Sequence, residues 1–362
     1  MNLKKIFYKK TVIVTGHTGF KGSWLALWLN TMGAKVIGIS INTLPDHSHF
    51  KAIKLQNKIK NIKMDIRNLK GLRKIFKKYK PDFVFHLAAQ SLVKKSYLNP
   101  IYTWNTNTIG SLNVLESLRS LKKECTAIII TSDKSYKNLE IKRGYKEEDI
   151  LGGKDPYSAS KASAELLVQS YVSSFFSLKK NKISIGVARA GNVIGGGDWS
   201  ENRLIPDCIK SWSKNKRVLL RNPNSTRPWQ HVLEAVGGYL KFAAVLKKNK
   251  KLHGEAFNFG PNHNSNYTVL FLVKLMRKFW DKVSWKVETK NRKSFYESNL
   301  LKLNTNKAKN ILKWKSVLTI SETIYMVTDW YKTYYLNPKK MFNISANQIK
   351  KYENLLRKRS FL

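Results

Sequence analysis

"KTVIVTGHTGFKGSWLALWLNTMGAKVIGIS", Lys10 to Ser40, decides the fold. Thr11 to Val14 is a β-branched run of the kind that fills a buried strand. Gly16, Gly19 and Gly22 follow as a G-x-x-G-x-x-G turn. Trp24, Leu25, Leu27, Trp28, Leu29 and Met32 then recur at helical spacing, Gly33 stops the helix, and Lys35 to Ile39 forms a second strand. The glycines therefore sit at a strand-to-helix turn, where a backbone without Cβ atoms can approach a pyrophosphate at a helix N-terminus. The unit predicts a dinucleotide site. An acidic residue is expected at the end of the second strand to hold the ribose hydroxyls. Ser40, Ile41 and Asn42 stand there instead, with no arginine in its place. Asn42 is a neutral candidate for that contact, and this position leaves NAD and NADP both open.

Outward from this unit the alternation continues. "NIKMDIRN" reads as a short strand ending near Asp65, followed by a basic helix through Lys80. "PDFVFHLAAQS" is a strand with a small-residue exit, and Ile101 to Leu121 is a helix. "CTAIIITS" and "ISIGVARAGNVIG" are further strands. Strands alternating with helices imply an α/β fold with a doubly wound parallel sheet, whose ligands bind beyond the carboxyl ends of the strands. Past Gly191 the alternation weakens and a smaller substrate-binding subdomain begins. "GEAFNFG" reads as a strand that returns to the main sheet, so the division is interleaved. The dinucleotide-binding domain is expected at residues 1–190 plus about 228–258, and the C-terminal substrate-binding subdomain at about 191–227 plus 259–362. The aromatics from Phe271 to Trp285 and from Trp330 to Tyr335 read as core, and His47-Ser48-His49 as loop.

Bulk composition excludes several classes. A chain of 362 residues with 42% hydrophobic content is neither disordered nor too small for a core. No apolar run approaches the ~18 residues of a membrane span, and the basic N-terminus lacks a signal-peptide core. Two distant cysteines, Cys125 and Cys208, point to a reducing, cytoplasmic setting. The seven histidines show no metal spacing, so no metal is expected. The net charge of +44 raises the question of nucleic acid, but it comes from 54 lysines against 13 arginines, spread along the whole chain. Base readers favour arginine clustered on one element. Specific nucleic-acid binding is not expected, although weak sticking to polyanions at low salt is.

Two stretches carry chemistry. "AIIITSDKSY", Ala127 to Tyr136, leaves a buried strand and sets down Ser132, Asp133, Lys134 and Tyr136 where a parallel sheet binds its ligands. Thr, Ser and Asp are also ordinary turn residues, so the position gives the stretch its meaning. In "DPYSASKA", Tyr157 and Lys161 are four apart on a helical segment and share one face. A lysine beside a phenol favours the phenolate, which predicts a lowered tyrosine pKa and a usable base.

With these residues in view, the chain resembles the extended short-chain dehydrogenase/reductase family, of Rossmann type. The matching residues are the Thr15-Gly16-x-x-Gly19-x-x-Gly22 turn, the Leu87–Gln90 strand exit, Asn107, Ser132 and Tyr157-x-x-x-Lys161. Within the family it is similar to the sugar 4,6-dehydratases, which carry an acid and a base after the serine or threonine. Most have Asp-Glu there; those acting on CDP-glucose resemble this chain's Asp133-Lys134. "TGHTGFKGSWL", "RAGNVIGGGDW", "NRLIPD", "RPWQHV", "FNFGP" and "QIKKYE" extend the likeness over nearly the whole length. Ser135, where Cys is frequent, and Asn304, where an acid is usual, depart from it.

The resemblance implies NAD as cofactor, a nucleotide-sugar substrate and a homo-oligomer, with a dimer through the helices near 102–121 and 157–176. It implies cofactor contacts from Gly16, His17, Thr18, Gly19, Phe20, Gly22, Asp65, Ile66, Leu87, Ala88, Ala89, Gln90, Asn107, Tyr157 and Lys161. Ser132, Asp133, Lys134, Tyr157 and Lys161 would be catalytic. Tyr157 would take the sugar 4-hydroxyl proton, Lys134 the proton on carbon 5, and Asp133 would protonate the departing 6-hydroxyl. A lysine base works neutral, so an exposed Lys134 would count against that role. Arg227 is expected on the substrate pyrophosphate, where its planar fork suits paired oxygens. Gln90, Ser132, Asn192, Arg203 and Asn258 are further substrate candidates. A nucleotide-sugar 4-epimerase of the same fold would not need Asp133 and Lys134. A non-catalytic dinucleotide-binding protein would not need Ser132, Tyr157 and Lys161.

Overall fold

The computed structural model describes residues 2–41, 47–177, 182–262, 265–288 and 301–359. Asn42, proposed for the ribose, lies outside the described residues. The core of the fold is one sheet of seven strands, all parallel. Six are β1 (Thr11–Thr15), β2 (Lys35–Ser40), β3 (Lys60–Lys63), β4 (Phe83–His86), β5 (Cys125–Ile130) and β6 (Ile183–Ala190). The seventh, Ala256–Phe259, pairs with β6 at the edge, as the returning strand was expected to do. Across the sheet the order is Ala256–Phe259, β6, β5, β4, β1, β2, β3. The chain starts in the middle and winds first one way and then the other, which leaves a crevice between the carboxyl ends of β1 and β4.

The helices are α1 (Leu3–Phe7), α2 (Phe20–Thr31), α3 (His49–Ala52), α4 (Leu69–Tyr79), α5 (Val93–Leu98), α6 (Pro100–Trp104), α7 (Gly110–Arg119) and α8 (Pro156–Phe175). After β6 come α9 (Leu204–Trp212), α10 (Val232–Lys248), α11 (Val269–Met276), α12 (Ile320–Leu336) and α13 (Met341–Arg359). Strand side chains alternate between two cores, as a pleated strand requires. Val12 and Val14 enter one with Trp24, Leu25 and Leu29 of α2 and Val236 and Leu240 of α10. Ile13 enters the other with Leu72 and Phe76 of α4, Leu115 of α7 and Val168 of α8. The expected helix from Ile101 to Leu121 is a continuous helical stretch from α6 to α7, interrupted by a π-helical turn at Asn105–Ile109.

Beyond β6 the chain adds short strand pairs: Val193–Ile194 with Gln230–His231, Thr226–Arg227 with Tyr267–Thr268, and Val218–Leu220 with Trp285–Val287. Its last helix, α13, crosses back to the first unit. Trp28 Nε1 donates to Glu353 Oε1 at 2.7 Å and its ring meets Tyr352 edge-on. His49, expected in a loop, is instead a buried helical residue, stacked on Trp24 and hydrogen-bonded to Ser23 and Ser345. The aromatics read as core divide: Trp280, Trp330 and Tyr331 are buried, whereas Phe271 and Tyr335 are exposed.

Candidate active site

At the end of β1 the chain turns through Gly16, whose φ of +73° favours glycine. A Cβ there would lie 2.7 Å from Ala88 N, so glycine also lets β1 close against the strand exit at Leu87–Ala89. Gly22 tightens the turn from the other side, since its Cβ would meet the Gly16 carbonyl. Gly19 is the N-cap of α2 and offers no side chain to cap it. The first-turn N–H groups of Phe20, Lys21 and Gly22 therefore have no intrahelical acceptors. This is a cradle that fits a dinucleotide pyrophosphate.

Around it, the expected cofactor residues take several roles. The His17 ring turns away into the fold, with Nε2 2.7 Å from Asn61 Oδ1 and its edge on Phe50, so its part in the turn is a backbone one. Thr18 N–H donates to Ser40 Oγ at 3.5 Å, across the position where the acid is missing. Asp65 is held by Arg67 at 2.6 Å, which keeps its carboxyl below the usual range, and the Arg67 guanidinium lies over Tyr102. Ile66 is buried against Gly110, and its carbonyl accepts from Asn113 Nδ2. The Gln90 side chain is engaged with Leu92 and Thr103. Asn107, in the π-helical turn, receives Gln90 N–H and donates to Gln90 O and Ser160 Oγ, tying the β4 exit to α8.

The turn after β5 is a single 3₁₀ turn, Asp133–Ser135. Ser132 Oγ donates to Asp133 Oδ1 at 2.8 Å and accepts from Lys134 N at 3.2 Å. Asp133 is buried, which pushes its carboxyl pKa upward; Lys134, Ser132 and Lys21 pull it back. Lys134 is half-buried rather than exposed. Gly191, at the end of β6, makes room for the acid: a methyl there would lie 2.7 Å from Asp133 Oδ2.

Facing this turn, α8 starts at its Asp155 N-cap and Pro156, and carries Tyr157 and Lys161 buried on one face. The lowered tyrosine pKa expected from the lysine is corrected here. Burial pushes the Tyr157 phenol up to about 12; the Ser132 hydrogen bond lowers it and the nearby Asp133 charge raises it. Lys161 Nζ donates to Ile130 O at 3.3 Å. The Lys161 ammonium is itself pushed down to about 8 by burial and by Lys21.

Sequence reasoning missed Lys21. The second residue of α2, it is pushed down to about 8 by burial and by Arg203, with Asp133 and Asp198 acting in the other direction. Arg203 pairs with the buried Asp198 at 2.9 Å, and its charge reaches Tyr157. The signal in the sequence was a cation within a glycine-rich turn. A cavity opens beside Asp133 and Gly191, lined further by Pro228, Gln230, Pro261 and Lys302. Arg227 lies next to it on the Thr226–Arg227 strand, and Asn192 is half-buried one residue past Gly191. Asn258 does not join this cavity. It is fully buried, accepting from Tyr136 OH and donating to Tyr145 O and Asn304 O, so its amide is engaged within the fold.

The sequence profile of the family described as GDP-mannose 4,6 dehydratase matches residues 13–327. The chain is 40% identical over 353 residues to the CDP-glucose 4,6-dehydratase of Salmonella typhimurium, covering 96% of this chain and 98% of the relative. Among solved structures it is similar to an epimerase of Methanothermobacter thermautotrophicus, with a TM-score of 0.80 at 23% identity over 94% of this chain and 97% of the other. It also resembles the UDP-glucuronic acid 4-epimerase of Bacillus cereus in complex with UDP-glucuronic acid and NAD, with a TM-score of 0.76 at 22% identity over 90% and 100% of the two chains. With a glycine-turn cradle, a Tyr-x-x-x-Lys helix and a profile match of this extent, the chain belongs to the GDP-mannose 4,6 dehydratase family of extended short-chain dehydrogenases/reductases.

Proposed function

We propose that the chain is an NAD-dependent hydro-lyase that converts CDP-D-glucose to CDP-4-dehydro-6-deoxy-D-glucose. The observation that carries the reading is the Asp133–Lys134 turn. A buried carboxyl held toward its protonated form stands beside a half-buried amine, and Ser132 links both to Tyr157. The 40%-identical relative supports CDP-glucose as substrate. NAD held in the Gly16–Gly22 cradle would supply reversible two-electron hydride transfer for carbons 4 and 6 of the sugar. Within the site, Tyr157 acts as its phenolate, favoured beforehand by the Lys161 ammonium, and becomes the neutral phenol as it takes the 4-hydroxyl proton while Ser132 holds that oxygen. The 4-ketone acidifies carbon 5, Lys134 removes that proton, and Asp133 protonates the 6-hydroxyl as it leaves as water. Returning its proton to carbon 5 completes the Lys134 cycle. Arg227 holds the substrate pyrophosphate, with Arg203 and Asn192 nearer the sugar.

The protein works as a homodimer in this reading. Leu98, Ile101, Trp104, Ile109, Leu166 and Phe175 are all exposed between α5 and α8, the helices through which the pairing would run. Two buried free cysteines suit a reducing, cytoplasmic setting. No helix among the described residues is long and apolar enough to cross a membrane.

The test follows the atoms. CDP-glucose deuterated at carbon 4, turned over in ordinary water, should yield product lighter by the mass of water, with deuterium at carbon 6 and solvent hydrogen at carbon 5. Deuterium returned to carbon 4 without loss of mass would make the protein an epimerase. No reaction with CDP-glucose, alongside turnover of another nucleotide's glucose, would move the substrate assignment and leave the chemistry.

A further inference from the structure

The catalytic turn is gripped at both ends by one buried ion pair. At its start, Thr131 Oγ1 donates to Glu165 Oε1 at 2.7 Å. At its end, Arg189 Nη1 donates to Tyr136 OH at 2.6 Å, with the guanidinium 4.7 Å from the ring centroid. Glu165 and Arg189 are joined to each other by bonds of 2.6 to 3.0 Å, and each side chain is only 1% exposed. Glu165 lies four residues beyond Lys161 on α8, one helical turn along the same face. A further tie runs from Tyr136 OH to Asn258 Oδ1 at 2.8 Å. The acid–base turn and the helix carrying Tyr157 are thus connected through a single buried pair.

A buried pair of this kind is a poor device for stability alone. Desolvating two charges offsets much of their attraction, and apolar replacements are often as stable. What the pair does supply is a fixed geometry, through a planar guanidinium with several directed bonds. We propose that Tyr136 and the Arg189–Glu165 pair are positioning residues for the elimination step, holding Asp133 and Lys134 at their working distance from the sugar bound against Tyr157. This rests on the dehydratase reading. It divides the reaction: oxidation at carbon 4 draws on Tyr157, Lys161 and Ser132, whereas loss of water draws on Asp133 and Lys134 at the middle of the gripped turn.

Tyr136→Phe tests it with the smallest change, removing one hydroxyl and keeping the ring stacked 4.9 Å from Tyr145. Mixed with NAD and CDP-glucose in stopped flow, the variant should oxidise carbon 4 at a rate within about threefold of wild type. Product formation should fall about tenfold or more, the scale of a small misplacement of reacting groups. A 340 nm absorbance should therefore build up that wild type does not accumulate, with KM little changed. Arg189→Lys, which keeps a charge and loses the fork, should behave the same way if Tyr136→Phe folds poorly. Variants with wild-type melting temperatures in which both steps slow together, or neither slows, overturn the positioning role. Wild-type protein that gives neither a transient 340 nm signal nor loss of water from CDP-glucose overturns the dehydratase reading itself, and this proposal falls with it.

Discussion

In the proposed elimination Asp133 and Lys134 divide the labour, and their surroundings differ accordingly. Burial holds the carboxyl toward the protonated form that an acid needs, while the amine keeps partial access to solvent for exchanging its proton. Asp133→Asn and Lys134→Met should each lower turnover about a hundredfold or more, the size of a lost general acid or base. Affinity for CDP and NAD, measured by calorimetry, should stay within a few-fold; a variant with near-normal turnover would drop out of the mechanism. Gly191→Ala tests the space around the acid, because its methyl would press on Asp133 Oδ2. It should reduce kcat more than it alters KM, and equal loss in both would place the effect in substrate binding instead. The placement of Asp133, Lys134, Tyr157 and Lys161 was legible because each follows a recognisable strand or shares a helix face. Gly191, Lys21, Arg189 and Glu165 were not, since their roles depend on contacts between elements far apart in sequence. The direction of the Tyr157 shift was misread for a related reason: helical spacing reveals a neighbouring lysine but not the depth at which the pair is buried.

Among the elements, β1, α2 and β2 were readable almost to the residue, because glycines and apolar periodicity mark their ends. The two- and three-residue strands beyond β6 were not, as pairs that short leave no periodicity to detect. Nor does the sequence announce the π-helical turn at Asn105–Ile109, although it carries Asn107 between the β4 exit and α8. The end of β2 makes a prediction of its own. Ser40 offers the cradle a hydroxyl through Thr18 N–H where a carboxylate would hold both ribose oxygens. NAD should therefore be held loosely, and protein dialysed extensively should gain activity when NAD is added back. Stoichiometric cofactor surviving dialysis would mean that another group has taken over that contact.

For the molecule as a whole, charge and closure are the governing properties. A net charge of +44 predicts adhesion to polyanions that fades with salt, yet the carboxylates present are well used. Glu322, at the start of α12, pairs with Arg359 at the end of α13 at 2.8 Å and caps its own helix through Thr319. These contacts depress the Glu322 carboxyl to about 2 from an ordinary 4.5. A depressed carboxylate contributes stability that is complete above its unfolded pKa and is lost as pH falls through the folded one. The clasp should thus hold at neutral pH and weaken between about 4.5 and 2. Because the pair is partly exposed, its worth is at most about 1 kcal/mol. Glu322→Gln should melt a degree or two lower at pH 7, and the difference should vanish by the bottom of that window. A gap that persists there would assign the loss to packing.

The docking of α13 on α2 also has a bearing on how the chain is made. Trp28 and Glu353 are 325 residues apart. At roughly 5 to 20 residues per second, a ribosome needs about a quarter of a minute to a minute to deliver the second after the first. Throughout that interval the Trp28 indole lacks the Glu353 and Tyr352 contacts of α13, and the nascent chain presents that part of α2 to whatever is nearby. Chains stopped before Met341 should consequently be captured by chaperones or aggregate, although every residue of the glycine turn and of both catalytic stretches has already been synthesised.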